Sequence, residues 1–396
     1  MIPKLRFKSF SSPLSKYKVG DILERFSDPV SVSETEKYRE IGIRSHGKGL
    51  FHKNEVHGAV LGSKRVFWIK KDALIVNIVF AWEQAIALTS SNEEGFIASH
   101  RFPMYLPKSF KYNTNYIRWY FLTRKGKKLL ELASPGGAGR NKTLGQKNFE
   151  DLVLTIPDVL EQNKIAHFLS SVEDKISLLK KQKELLLQYK KGIIQNIFSQ
   201  KLRFKDEDNK HYPAWKKVRL GDFLISFNKR VPSGTSIPVY TSSRTGLKPQ
   251  FDYFDNRELL NEGEYGVVPE GYITYRHMSD DSTFKFNKNT TGAEIAVSKE
   301  YPVFKTSNLN LDFLMFFLNE SDDFKKFSRE QKAGGTRVRL YYKKLCEWDG
   351  MIYPNLEEQI KIAKFLSALD EKISVKNTEL IKIEYWKQGL LQQMFI

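Results

Sequence analysis

One unit is written twice in this chain, and the two copies stay in register over a stretch long enough to constrain the fold. Residues 157–198 read onto 354–395 without a gap, 197 positions later, with 16 of 42 positions identical. Glu161-Gln162 returns as Glu358-Gln359, Lys164-Ile165-Ala166 as Lys361-Ile362-Ala363, and Phe168-Leu169-Ser170 as Phe365-Leu366-Ser367. Lys4-Leu5-Arg6-Phe7-Lys8 recurs at the same offset as Lys201-Leu202-Arg203-Phe204-Lys205, and Gly20-Asp21 as Gly221-Asp222 after a four-residue insertion. Between these anchors the copies diverge, leaving faint echoes such as Gly49-Leu50 with Gly246-Leu247 and Phe102-Pro103 with Tyr301-Pro302. Kept helical segments and diverged globular parts predict a pseudo-symmetric frame holding two different readers.

The repeated segments carry helix-start signals. Pro157 and Pro354 suit a helix edge, and Asp158, Glu161, Glu357 and Glu358 follow in the first turn, where acids complement the dipole. A 3.5-residue seam runs through Ile165, Leu169, Val172, Ile176, Leu179, Lys183, Leu186, Lys190, Ile193 and Ile197. Its mate runs through Ile362, Leu366, Leu369, Ile373, Lys376, Leu380, Ile383, Lys387, Leu390 and Met394. Eight of ten positions are apolar in each, which predicts two long coiled-coil helices. Each would be about 60 Å long. The seam lysines are expected to snorkel, their stems covering apolar surface, more than to specify register. Off the seam, Ala166, Phe168, Ala363 and Phe365 are kept in both copies; they are candidate partner-binding residues, or they pack on the adjoining globular domain.

Mixed strand-like and helical stretches give an α+β class: two pseudo-symmetric α+β domains joined by two long antiparallel coiled-coil helices. The expected partition is a basic segment 1–16, a first domain 17–156, a central helical spacer 157–212, a second domain 213–353 and a helical spacer 354–396. In the first domain Val66–Ile69, Leu74–Phe80 and Glu94–Ala98 read as strands and Asn115–Leu132 as one helix; the apolar run near Leu74 reads as a buried strand. In the second, Gly266–Val268, Tyr272–Tyr275 and Ala293–Val297 read as strands and Leu311–Phe327 as one helix. Both close on a glycine loop with arginine, around Arg140 and Arg337.

Charge narrows the function. The chain holds 64 Lys and Arg against 46 Asp and Glu, a net charge of +18. Residues 158–200 hold 7 Lys and 5 acids and residues 355–396 hold 6 and 6, so the helices carry +2 and everything else +16. A polyanion is therefore expected to meet the globular halves. The single cysteine, Cys346, excludes a disulfide framework and fits a reducing, cytoplasmic setting. The start of the sequence lacks a signal-peptide pattern, and no run has the length of a membrane span.

Catalytic signatures are missing. Gly42-Ile43-Arg44-Ser45-His46-Gly47-Lys48-Gly49 resembles a phosphate-binding loop until Gly49, which replaces the hydroxyl residue that binds magnesium. His46, His52 and His57 lack the companion carboxylates or cysteines of a metal site. No nucleophile elbow and no glycine-rich fingerprint for an adenosyl cofactor is present. What the chain offers is a set of basic and amide side chains beside glycines, suited to phosphates and base edges. The DNA-binding candidates are Arg44, Ser45, His46, Lys48, Arg140, Asn141 and Lys142 in the first half, and Arg244, Lys248, Arg276, His277, Arg337 and Arg339 in the second.

This arrangement resembles the specificity subunit of a type I restriction-modification enzyme, over essentially the whole chain. The resemblance is carried by Pro3-Lys4-Leu5-Arg6-Phe7, the two Gly-Asp domain starts, and the Pro-x3-Glu-Gln-x-Lys-Ile-Ala-x-Phe-Leu-Ser segments at 157 and 354. It implies two target recognition domains reading a bipartite double-stranded DNA sequence, with the helices as a ruler. It further implies two modification subunits, two restriction subunits, and no cofactor in this chain; S-adenosylmethionine, ATP and magnesium would sit in the partners. A non-catalytic specificity subunit is thus expected. The lysine-interrupted seam departs from the family pattern. A coiled-coil scaffold whose basic domains bind other acidic partners is the alternative, and a single-chain methyltransferase or nuclease stands third.

Overall fold

The computed structural model describes residues 2–136, 142–254, 263–331 and 337–396. The chain forms two units, Met1–Lys180 with Thr378–Ile396, and Lys181–Asn377. The first long helix, Val159–Phe198, gives its opening part to the first unit and its closing part to the second; Leu356–Gln393 does the reverse. Each unit therefore needs sequence from both repeats to complete its core. No helix among the described residues is long and apolar enough to cross a membrane.

The same sheet is built in both units. In the first, antiparallel strands stand in the order Leu23–Phe26, Met104–Pro107, Leu74–Val76, Ile86–Leu88. In the second the order is Leu224–Ser226, Val303–Thr306, Ile273–Tyr275, Phe286–Lys288. Helices cover each sheet, and here the sequence reading needs correction: each expected single helix is two. Thr114–Phe121 is followed by Arg124–Leu132, and Leu311–Glu320 by Asp322–Glu330. At the breaks a hydroxyl restarts the helix, Thr123 Oγ1 accepting from Gly126 N at 3.0 Å and Ser321 Oγ from Phe324 N at 3.4 Å. The apolar pattern lapses at both breaks, over residues 123–128 and 319–323, so a signal of each break stood in the sequence. The strand Ser15–Lys18 pairs with Val153–Ile156 and crosses the boundary expected between residues 16 and 17.

The repeated Glu-Gln pair closes each unit. Arg6 Nε donates to Glu161 Oε1 at 2.7 Å, and its mate Arg203 donates through Nη2 to Glu358 Oε2 at 2.8 Å. These carboxylates are 1% and 0% exposed, so ion pairing, rather than dipole complementation, is their main role. The dipole-end capping falls to Asp158 and Asn355, whose side chains accept from Glu161 N and Glu358 N. Gln162 accepts from Asn113 N and donates to the Pro157 carbonyl; Gln359 does the same with Asn310 and Pro354. The kept Gly-Asp starts are also structural. A Cβ on Gly20 would lie 3.1 Å from Glu150 Cβ, and one on Gly221 would lie 2.6 Å from the Cys346 carbonyl oxygen.

Every seam position expected from sequence is buried or half-buried. In the second unit the helix parts run antiparallel: Lys183 Nζ donates to Asn377 Oδ1 and Lys190 Nζ to Asp370 Oδ1, both at 2.6 Å, seven residues up one helix and seven down the other. In the first unit Lys387 Nζ reaches Glu173 Oε1 at 2.8 Å. These lysines do not merely snorkel to water, since their ammonium groups end on polar groups of the facing helix. The helix ends dock alike as well, Phe198 against Phe313 and Phe317 in the second unit and Phe395 against Tyr116 and Tyr120 in the first.

Candidate nucleic-acid interface

In the first unit the candidates Arg44, Ser45, His46 and Lys48 occupy the loop between the strands Ile41–Ile43 and Leu50–His52. Three consecutive features hold this loop. Arg44 Nη1 donates to the Leu50 carbonyl at 2.8 Å and the guanidinium lies over the Phe51 ring at 4.9 Å. Ser45 Oγ donates to Glu83 Oε2 at 2.9 Å, while His46 N donates to the Glu83 carbonyl and Gly47 N to that of Gln84. His46 has φ 61°, a conformation non-glycine residues adopt only where neighbours impose it. Its backbone bonds to the 83–84 turn supply that constraint, leaving the imidazole and the Lys48 ammonium exposed. Arg44 and Ser45 are partly committed to the protein itself.

Lys142 lies 5.3 Å over the ring of Trp82, next in sequence to the Glu83 that holds Ser45, so the two candidate stretches of the first half are joined through one turn. Arg140 and Asn141 lie outside the described residues. Behind the loop is a cavity of about 770 Å³ lined by His46, Lys48, Arg118, Trp119, Lys180 and Lys387, among others. Arg118, which no sequence motif singled out, lies 4.1 Å over Trp119 and pairs with Glu173. Burial pulls the Glu173 carboxyl up, but Arg118 and Lys387 outweigh it and hold the group below its ordinary value.

The second unit gathers its candidates more tightly. Arg244 sits at the turn between Tyr240–Ser243 and Gly246–Pro249, with exposed Lys248 on the second of these strands. Arg276 and His277 precede the short strand Met278–Ser279, which pairs with Val338–Arg339 and so brings Arg337 and Arg339 alongside. Arg244 Nη2 stands 2.8 Å from Asp281 Oδ1, and Arg337 Nε donates to Asp280 Oδ1 at 2.8 Å. Asp281 is fixed further by Ser279 Oγ and Thr283 N; with Arg244 these hold its carboxyl below the ordinary range. A concavity of about 270 Å³ is lined by Arg244, Tyr253, Arg276, Met278, Asp280 and Lys285, with hydroxyls from neighbouring residues. Burial pushes the Lys285 ammonium below its ordinary value.

His277 is a correction. Its side chain is buried and stacked on Tyr341 at 5.5 Å, and burial pushes its imidazole below the ordinary value, opposed by Glu300. It is an interior packing group, 5% exposed, with no surface to offer DNA. The proposed partner face is corrected as well. Ala166 and Ala363 are buried in the cores of their units and have no surface to offer. Phe168 packs edge-on against Phe7 and Trp386, and Phe365 against Phe204, so this kept face closes each unit on its own basic segment. Sequence reasoning missed Asp280, Asp281, Tyr253 and Lys285. Nothing in the sequence singles out the Asp280-Asp281 pair, since residues 213–353 hold 18 acids against 21 Lys and Arg and a second aspartate pair at 322–323.

The model of the type I restriction modification DNA specificity domain matches this chain twice, over residues 15–188 and 213–385. The putative type I restriction enzyme MjaX specificity subunit of Methanocaldococcus jannaschii is 24% identical over 272 residues, covering 64% of this chain and 61% of that protein. The type I restriction enzyme MjaVIII specificity subunit of the same organism is 25% identical over 276 residues, covering 62% of each. The chain thus spans about three fifths of the length of these curated relatives. The crystal structure of the type I restriction-modification system S subunit from M. genitalium shares the fold, with a TM-score of 0.60 at 13% identity over 100% of this chain and 99% of that one.

Proposed function

The chain belongs to the type I restriction modification DNA specificity family, and from that membership we propose that it is the non-catalytic, DNA-reading subunit of a restriction-modification complex. One observation carries the reading: the two family matches fall largely on two compact units that repeat the same sheet order, each with its own cluster of basic loop side chains. Each unit reads one half of a bipartite duplex sequence. Phosphate contacts supply affinity and register, and the loop side chains supply discrimination.

Methyl transfer and cleavage then belong to partners, two modification subunits using S-adenosylmethionine and two restriction subunits using ATP and magnesium, in the cytoplasm. Exposed apolar side chains on the helix pair of the second unit, Leu185, Tyr189 and Val375, support a protein partner there.

The test is selection from a randomised duplex pool by the full chain. Enrichment of two fixed half-sites around an unspecified spacer is expected. Equal affinity for all duplexes, with tight binding to another acidic macromolecule, would instead favour the scaffold reading.

A further inference from the structure

We propose that the surface at the second unit's concavity reads a G·C base pair directly, with Arg244 and the Asp281 it meets acting together as donor and acceptor, and Asp280 with Arg337 forming a second such pair. The inference rests on the DNA-reading function above and names the chemistry of one of its sites. Two facts carry it. First, two adjacent carboxylates stand among the arginines gathered at this concavity, each 2.8 Å from an arginine. A surface built only to hold phosphate gains nothing from them, because each carboxylate repels the backbone and cancels the charge of the arginine beside it.

Second, the geometry is that of a base-edge reader. In the major groove guanine offers N7 and O6 as acceptors and its cytosine offers an N4 amine as donor, side by side. An arginine next to an aspartate presents the complement of that row. Both pairs are at least half exposed on each side chain, so they remain accessible, and exposed pairs of this kind add little to folding. Asp281 is also held in place before any ligand arrives, by Ser279 Oγ at 2.9 Å and Thr283 N at 3.1 Å. Ser242, Ser243, Thr245 and Thr283 line the concavity with Arg244 and Asp280 and give it further hydrogen-bonding groups of either sense. Arginine alone reads guanine; the carboxylate adds rejection of pairs that lack the amine, and of non-specific backbone contact.

The experiment uses the full chain and a randomised duplex pool, comparing wild type with Asp281→Asn, Asp280→Asn and Arg244→Lys. Asp208→Asn is the control; it makes the same charge change at an exposed site that, among the described residues, pairs with Lys210. Asp281→Asn and Arg244→Lys are expected to lose preference for one G·C pair by about five- to 150-fold, in one half-site only, with the other half unchanged. Asparagine retains an acceptor and gains a donor, so tolerance should shift towards A·T at that position. Arg244→Lys keeps the charge and loses the fork, which guards against an effect of charge alone. An unchanged motif with unchanged discrimination in all three variants overturns the proposal. So does a uniform rise in affinity for every duplex that Asp208→Asn reproduces. Failure of the wild type to enrich any motif would overturn the DNA-reading function itself, a separate result.

Discussion

Lys190 Nζ lies 2.6 Å from Asp370 Oδ1, and this contact has a repeat mate in the 2.8 Å pair of Lys387 with Glu173. The aromatic neighbours repeat too, since Lys190 rests over Phe316 at 5.3 Å and Lys387 over Trp119 at 4.9 Å. A lysine in each seam thus meets an acid on the facing helix and a ring on the domain helix. Both pairs are partly exposed, so each is worth about 0.2–1 kcal/mol. A double-mutant cycle on Lys387→Met and Glu173→Gln, followed by urea unfolding, should return a coupling of that size; a coupling of zero would reduce the lysine to a covering stem.

The buried pair at each helix start should matter more. Arg6→Ala leaves Glu161 without its partner and is expected to cost about 3–5 kcal/mol. Arg203→Ala should cost less, because Trp215 Nε1 also donates to Glu358 Oε2 at 2.7 Å. Equal losses in denaturant titrations of the two variants would contradict this reading of the third donor.

Stability should fall with acid in two windows. The folded-state value of His277 is lowered, so its contribution is present above the unfolded value of about 6.5 and is lost as pH falls through the folded value. Glu173 is likewise lowered from 4.5, so its contribution is present above that pH and lost below it. His277→Phe, which keeps a ring against Tyr341, should flatten the upper window and leave the lower one. Melting temperature against pH reads both, and an unchanged upper slope in that variant would show that His277 does not titrate there.

Arg276 is exposed and lines the same concavity as Arg244. We expect it to hold phosphate. Arg276→Gln should weaken binding to all duplexes alike and reduce the slope of log affinity against log salt by about 0.9. A change in the selected motif instead would make it a base reader.

The first domain should be transferable. Because Ser15–Lys18 pairs with Val153–Ile156, a clean exchange takes residues 15–156, so that the whole strand pair moves together. Grafting the matching stretch of a family member with another target should change one half-site and leave the other. Changes in both halves, seen by methylation mapping in the reconstituted complex, would show that the domains do not read independently.

Much of the frame was legible in the amino-acid order because it is local and repeated. The seam at Ile165 to Ile197 follows from helical period alone, and the 197-residue offset names the mates of Glu161, Phe168 and Phe198. Their roles were not legible. Glu161 reads as a dipole acid until Arg6, 155 residues away, is placed against it. The helix break at Thr123 shows in the sequence as the polar run 123–128, but the Thr123 hydroxyl that accepts from Gly126 N does not. His277 and Arg276 are neighbours in sequence, yet alternation along an extended segment buries one and exposes the other. Asp281 sits 37 residues from the arginine it meets. Pattern along the chain sets which elements form and how they repeat; which charges face each other, and which face water, is decided only when non-local strands and loops pack, because ion pairing and burial depend on distance in space.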